Sequence, residues 1–104
     1  MYIVSSDDPN WCREGFQQFN DRATFFYADD FRKDHGLNVP ELEMSIATRC
    51  NHTIFDYGTF GFWGAYLSGG YTILAENIGD KKVIEVENIR PAKLKNWEFI
   101  EAFV

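Results

Sequence analysis

At 104 residues, 45% hydrophobic and 17% aromatic, the chain has the composition of one small folded domain with an aromatic-rich core, which argues against disorder. Ten Lys and Arg against sixteen Asp and Glu give a net charge of -6 with no basic cluster, so a nucleic-acid partner is disfavoured. No apolar run of about eighteen residues and no leader pattern is visible, and the two histidines, His35 and His52, form no HxxxH spacing, so neither a membrane anchor nor a metal site is expected within these residues.

In chain order, residues 2–6 form a short β-rich run, and Asp8 followed by Pro9 supplies an N-cap and a first-turn proline for a helix. Cys12, Phe16 and Phe19 fall on one apolar stripe of that helix. Residues 24–28 read as a second strand, and the polar stretch 29–38, with Gly36 inside it, reads as a loop. Pro40 opens a second helix with Glu41 and Glu43 in its first turn and Leu42, Ile46 and Cys50 along one face. Cys12 and Cys50 could form a disulfide or stay as two buried thiols, and because each sits on an inward stripe they are not expected to be obligatorily joined.

A third strand spans residues 52–55, followed by the turn Asp56-Tyr57-Gly58 and a helix over 59–68 that is apolar nearly all round, as for a helix packed on both sides. Phe62, Trp63, Tyr66 and Leu67 are expected to pack that helix onto the sheet. Gly69-Gly70 stops the helix, residues 71–75 form a fourth strand, and Gly79-Asp80-Lys81 makes a surface turn. Residues 83–86 read as a fifth strand and residues 97–103 as a short terminal helix. Strands alternating with helices over short links predict a doubly wound α/β fold: a mainly parallel sheet with helices on both faces.

Ligands of such sheets sit beyond the carboxyl ends of the strands, which places chemistry at residues 5–8, 28–30, 56–59 and 75–77. The third edge is the most informative, because Asp56-Tyr-Gly-Thr-Phe-Gly61 sets two glycines and a threonine at a strand-to-helix turn. Free amides and the helix dipole suit an anion there, and the Thr59 hydroxyl adds a donor. The competing reading is that Thr59 caps its own helix. At the first edge, Ser5 and Asp7 are open for binding a sugar or ribose hydroxyl, whereas Asp8 has a structural use as the N-cap. Glu43 either favours the helix N-terminus or accepts from N1 and N2 of a guanine. His52 is a structural histidine or a base. Asn51-His52-Thr53 spells an N-glycosylation sequon, and because it leads into a strand expected to be buried, it is expected to be unoccupied.

Two stretches carry a family resemblance. Ser6-Asp-Asp-Pro-Asn-Trp-Cys12 resembles a segment of the inverting α-1,2-fucosyltransferases. Arg49-Cys-Asn-His-Thr-Ile54, with Tyr57-Gly-Thr-Phe-Gly-Phe-Trp-Gly-Ala-Tyr-Leu-Ser-Gly-Gly70, resembles their C-terminal signature. The likeness is to the animal galactoside 2-α-L-fucosyltransferases and covers about residues 2 to 78. It implies transfer of L-fucose from GDP-fucose to the 2-hydroxyl of a terminal galactose on a glycan, with inversion, no metal and a Golgi-lumenal setting. It also implies a Rossmann-like fold resembling the C-terminal half of a GT-B-type glycosyltransferase, with these 104 residues as a single partial domain. Carried over position by position, Gly58, Thr59 and Phe60 would face the donor diphosphate, Glu43 the guanine, and Asp7 the nucleotide or the cleft. The family's His-x-Arg-Arg-x-Asp motif, which supplies an arginine to the diphosphate, occurs nowhere in the sequence. The resemblance therefore implies the donor-binding part of a transferase, inactive by itself. A non-catalytic nucleotide- or protein-binding module is the alternative, and a flavodoxin-like carrier is a weaker third, lacking a phosphate-loop glycine pattern.

Overall fold

The computed structural model describes residues 1–35 and 39–101. The chain divides into two compact units, Met1–Glu43 and Met44–Val104.

In the first unit, β1 (Tyr2–Val4) leads to α1 (Pro9–Phe16), a 3-10 turn (Gln17–Phe19), β2 (Phe25–Tyr27) and α2 (Ala28–His35). The Asp8 side chain accepts the Trp11 amide at 3.2 Å and so caps α1, with Pro9 pre-set for its first turn. β1 and β2 pair in parallel, Tyr2 opposite Phe25 and Val4 opposite Tyr27. Phe16 stacks on Phe25 at 4.9 Å and Tyr2 stacks on the same ring at 5.5 Å, while Cys12 and Ala28 are buried. Over residues 29–35 the helix α2 replaces the expected loop, and residues 36–38 of that stretch, Gly36 among them, lie outside the described ones. Asp29 and Asp30 stand in the first turn of α2, where carboxylates suit the dipole.

A third helix, α3 (Val39–Arg49), leads into the second unit, which continues with β3 (Thr53–Phe55), α4 (Thr59–Ser68), β4 (Thr72–Ala75), a small hairpin of β5 (Asn77–Ile78) and β6 (Lys81–Lys82), α5 (Ile84–Ile89), a 3-10 turn (Arg90–Ala92) and β7 (Trp97–Ile100). The strands β3, β4 and β7 pair in parallel in that order. The connecting helices α4 and α5 both contribute to a single core against this sheet. Leu74 is fully buried among Val83, Val86 and Ile89, with Phe62 of α4 and Phe55, Trp97 and Phe99 of the strands around it. Burying one leucine this completely contributes about 2 kcal/mol. On the opposite face Ile54 is 64% exposed, and the Tyr71 hydroxyl donates to Glu98, a bond that raises the Tyr71 pKa above its ordinary value.

Three expectations change in this unit. Residues 84–89 are a helix rather than a strand, because Val83, Val86 and Ile89 point together into the Leu74 cluster. Residues 97–100 are a strand rather than a helix, because Trp97 and Phe99 alternate inward between exposed Glu98 and Ile100 and complete the ladder beside β4; residues 102–104 lie outside the described ones. The helix α4 is not packed all round: Phe62 reaches the core and Gly64 meets α3, whereas Trp63, Tyr66 and Leu67 are half exposed or more, with Trp63 and Tyr66 resting on the Phe62 ring.

Glycines set how closely these elements approach. A Cβ on Gly61 would lie 2.5 Å from the Phe55 ring, one on Gly64 3.1 Å from the Ala47 Cβ of α3, and one on Gly70 only 1.5 Å from the Asn51 carbonyl oxygen. Gly15 in α1 meets nothing within 4 Å. Gly70→Ala is therefore expected to cost about 3 kcal/mol or more, and Gly61→Ala about 1 to 3, through forced overpacking. Gly15→Ala should instead stabilise by about 0.5 to 1 kcal/mol through helix propensity. Thermal denaturation of the three variants checks the order, and a Gly70→Ala protein as stable as the parent would contradict the close approach.

Thr72 is fully buried, and its hydroxyl has no hydrogen-bond partner among the described residues. An orphaned buried hydroxyl costs about 1 to 3 kcal/mol, so Thr72→Val, which keeps the shape, should raise stability by about 1 kcal/mol. Chemical denaturation checks this; a loss of stability would mean that the hydroxyl is satisfied.

Candidate functional site

The turn between β3 and α4 is built for an exposed backbone. Asp56 takes the Tyr57 amide at 2.8 Å and closes the end of the strand. Gly58 follows at φ 94 and ψ 158, a conformation that L side chains rarely adopt. It is the N-cap of α4, with no side-chain cap, and the helix ladder starts with the Phe62 amide donating to the Gly58 carbonyl at 3.2 Å. The amides of Thr59, Phe60 and Gly61 are those a helix leaves without an internal acceptor, and the positive end of its dipole lies with them. Thr59 is exposed, is the first residue of α4 and does not cap it; its hydroxyl has no hydrogen bond to any described residue. The capping explanation for Thr59 is thus set aside in favour of Gly58. No Cβ crowding occurs at Gly58, where nothing lies within 4 Å, so a side chain there is opposed by the positive φ alone.

Residues 50–80 contain no Lys or Arg. Whatever anion the turn attracts is met by amide dipoles and one hydroxyl, with no side-chain cation from the same segment.

The remaining edges differ in how far their polar groups are already committed. Beyond β2, Arg13 reaches from α1 to Asp29 at 2.8 Å and to Asp30 at 2.9 Å, and its guanidinium lies 4.6 Å from the centre of the Tyr27 ring. The bond to the buried Asp29 carboxylate, joined by the charge of Asp30, raises the Arg13 pKa above its ordinary value. Beyond β4, Glu76 is tied to Arg90, whose guanidinium stacks on Phe99, and Asn77 donates to the Gly79 carbonyl at 2.7 Å. Beyond β1, the Asp8 amide donates to Ser6 Oγ at 3.0 Å while its carboxylate caps α1. Ser5 and Asp7 are exposed and are left uncommitted among the described residues.

Of the residues singled out from sequence, Gly58, Thr59 and Phe60 share one turn, and Phe60 is exposed there. Asp7 and Glu43 belong to the first unit. Glu43 is half-buried on α3 and has no hydrogen bond to a described residue. It stands in the second turn of the helix, not the first, because α3 begins at Val39. His52 is structural, since its Nδ1 accepts the Tyr71 amide at 3.0 Å and clasps the amino ends of β3 and β4, the far end of the strands from the ligand edge. Cys12 and Cys50 are free thiols, and the Cys50 Sγ lies 3.4 Å from the Ile46 carbonyl. Sequence reasoning missed the Arg13 clamp on Asp29 and Asp30, because partners sixteen and seventeen residues apart leave no local pattern. An open concavity of about 400 Å³ along α1 and β2, lined by Arg13, Glu14, Gln17, Asn20, Phe25 and Tyr27, contains none of the residues singled out from sequence. No helix among the described residues is long and apolar enough to cross a membrane.

Comparison with known proteins adds an independent line. The pattern of glycosyl transferase family 11 matches residues 1–101. The galactoside alpha-(1,2)-fucosyltransferase 1 of Bos taurus is 35% identical over 98% of this chain and 27% of its own length. The proteins of the same name from Leontopithecus chrysomelas and Homo sapiens are each 34% identical over the same shares. The chain thus spans about a quarter of the length of the curated relatives it matches. No solved structure matches it. With the family pattern running through both units and through the uncapped Gly58-Thr59-Phe60 turn, the chain belongs to glycosyl transferase family 11.

Proposed function

We propose that this chain is the donor-binding part of a galactoside α-1,2-fucosyltransferase, with a Rossmann-like fold resembling the C-terminal half of a GT-B-type enzyme. One observation carries the reading: a family signature coincides with an uncapped helix N-terminus behind a positive-φ glycine, at the carboxyl end of a parallel strand. The α and β phosphates of GDP-fucose lie on the amides of Thr59 and Phe60 and accept from the Thr59 hydroxyl. Gly58 turns the chain so that those amides face outward. Glu43, a half-buried carboxylate with no hydrogen bond to a described residue, accepts from N1 and N2 of the guanine. Asp7 faces the nucleotide or the cleft. The setting is the Golgi lumen, and the reading invokes no metal.

In the inverting reaction the 2-hydroxyl oxygen of a terminal galactose attacks C1 of fucose, the bond from C1 to the diphosphate oxygen breaks, and the hydroxyl proton passes to a base. GDP departs with the negative charge. Preorganised amides at the Gly58 turn stabilise that charge as it develops, but they carry no net charge of their own, whereas an arginine adds a full positive charge and a bidentate fork of donors. With no Lys or Arg in residues 50–80 and no His-x-Arg-Arg-x-Asp motif in the sequence, the 104-residue chain is expected to show no transfer of fucose from GDP-fucose to a β-galactoside. Turnover by the purified chain would refute this. The second reading is a non-catalytic nucleotide- or protein-binding module that keeps the fold. Fucose transfer by a chimera in which these residues replace the matching part of the Bos taurus relative separates the two, since a degenerate module gives binding without turnover.

The chimera also tests the site. Thr59→Val removes one donor to a charged acceptor, worth about 1.5 to 3 kcal/mol, so GDP affinity measured by calorimetry should fall about tenfold or more, with the melting temperature unchanged. Equal affinity in the two proteins would confine the diphosphate contact to the backbone.

A further inference from the structure

The groove along α1 and β2 takes no part in the donor-binding reading, and every residue lining it belongs to the first unit. Its floor is aromatic and held in place. Phe25 and Tyr27 stand two residues apart on β2 and so share one face of the strand, where Phe16 of α1 and Tyr2 of β1 both stack on Phe25. The Tyr27 ring is held by the Arg13 guanidinium, 4.6 Å from its centre. Arg13 is itself fixed to Asp29 and Asp30, so it enters the groove as a wall whose charge is already balanced. The rim is polar and uncommitted. Glu14, Gln17 and Asn20 are exposed and Tyr27 is half-buried, and neither the three rim side chains nor the Tyr27 hydroxyl makes a hydrogen bond to any described residue.

These groups discriminate among ligand classes. An anion would meet the Glu14 carboxylate and a guanidinium that two carboxylates already occupy, in a chain of net charge -6. An apolar ligand would strip the rim of water and return no hydrogen bond. A neutral sugar chain meets both halves of the groove: its hydroxyls donate and accept, matching Gln17, Asn20, the Tyr27 hydroxyl and the accepting Glu14 carboxylate, while its C–H groups rest on the aromatic rings. At about 400 Å³ the groove has the volume of a small-ligand site. We propose that it is a binding subsite for a short neutral oligosaccharide, with Glu14, Gln17, Asn20 and the Tyr27 hydroxyl as its hydrogen-bonding groups and Arg13 as the positioning residue that holds the Tyr27 ring. The subsite does not rest on the donor-binding reading. Its residues are apart from the Gly58 turn in the sequence, and sugar binding is measured without nucleotide, so the two fail separately.

The full 104-residue chain, labelled with a nitrogen isotope, is titrated with lactose while its amide and side-chain resonances are followed. Saturable shifts are expected at Gln17, Asn20 and Tyr27. Gln17→Ala, Asn20→Ala and Tyr27→Phe should each weaken lactose binding by about three- to tenfold, the effect of one neutral hydrogen bond. Because Gln17 and Asn20 are exposed, the melting temperature should not change in the two alanine variants. A digalacturonate, similar in size but anionic, should bind about tenfold more weakly than lactose. Cellobiose, which differs from lactose in the direction of one hydroxyl, distinguishes two sources of the ligand: a preference for lactose assigns the groove to a galactose-terminated acceptor, and equal binding assigns it to neutral glycans at large. Absence of shifts with both neutral sugars, shifts confined to other residues, unchanged affinity in the alanine variants, or tighter binding of the digalacturonate would each overturn the proposal.

Discussion

The second unit depends on how closely α4 lies against its neighbours. Gly61 lets the helix settle on the Phe55 ring and Gly64 lets α3 approach it, while Gly70 lets the chain pass within contact of the Asn51 carbonyl on its way into β4. Any side chain at these positions would lift the helix or part the strands. With the helix held this near, Phe62 can reach Leu74, and the strands β3, β4 and β7 can share a single core with α5. The His52 clasp on the Tyr71 amide and the Thr53 to Ser68 contact then follow from the same spacing.

That spacing also presents the functional turn. A helix pinned along its body by Gly61 and Gly64 has its first turn fixed at the carboxyl end of β3. Gly58 at positive φ brings the chain onto the helix without a capping side chain. A serine or aspartate cap would occupy one of the amides; here they stay open to a ligand. Elsewhere in the fold the opposite choice is made. Asp8 caps α1, Arg13 holds Asp29 and Asp30, and Arg90 holds Glu76. Charged groups at those strand ends are spent on structure, so the open donors at the Gly58 turn stand apart from them.

Much of this was legible from the residues. The Asp8-Pro9 start of α1, the extent of α4 and its stop at Gly69, and the turn carrying Gly58, Thr59 and Phe60 all follow from local chemistry: caps, positive-φ glycines and apolar runs act over a few residues. The family signature lies in the same stretch and points to the same turn. What misled was exposure. The apolar surface of α4 reads from sequence as packed all round, yet Trp63 is 50% exposed, because composition records what a helix can bury and not which neighbours arrive to cover it.

By itself the sequence determined an α/β chain with an anion-suited strand-to-helix turn, and family membership. Only the tertiary structure decided the identities of the short segments and the partners of the charges. Residues 84–89 carry apolar groups at both alternate and third positions, and residues 97–100 alternate over too few residues for a period to be measured. In each case the choice between helix and strand was made by the available surface: the Leu74 cluster took Val86 and Ile89 from one side, and the free edge of β4 took the backbone of Trp97–Ile100. Likewise Arg13 found Asp29 through space across sixteen residues. Local propensities in such short elements differ by fractions of a kcal/mol, whereas burying a single large side chain is worth about 2, so packing decides.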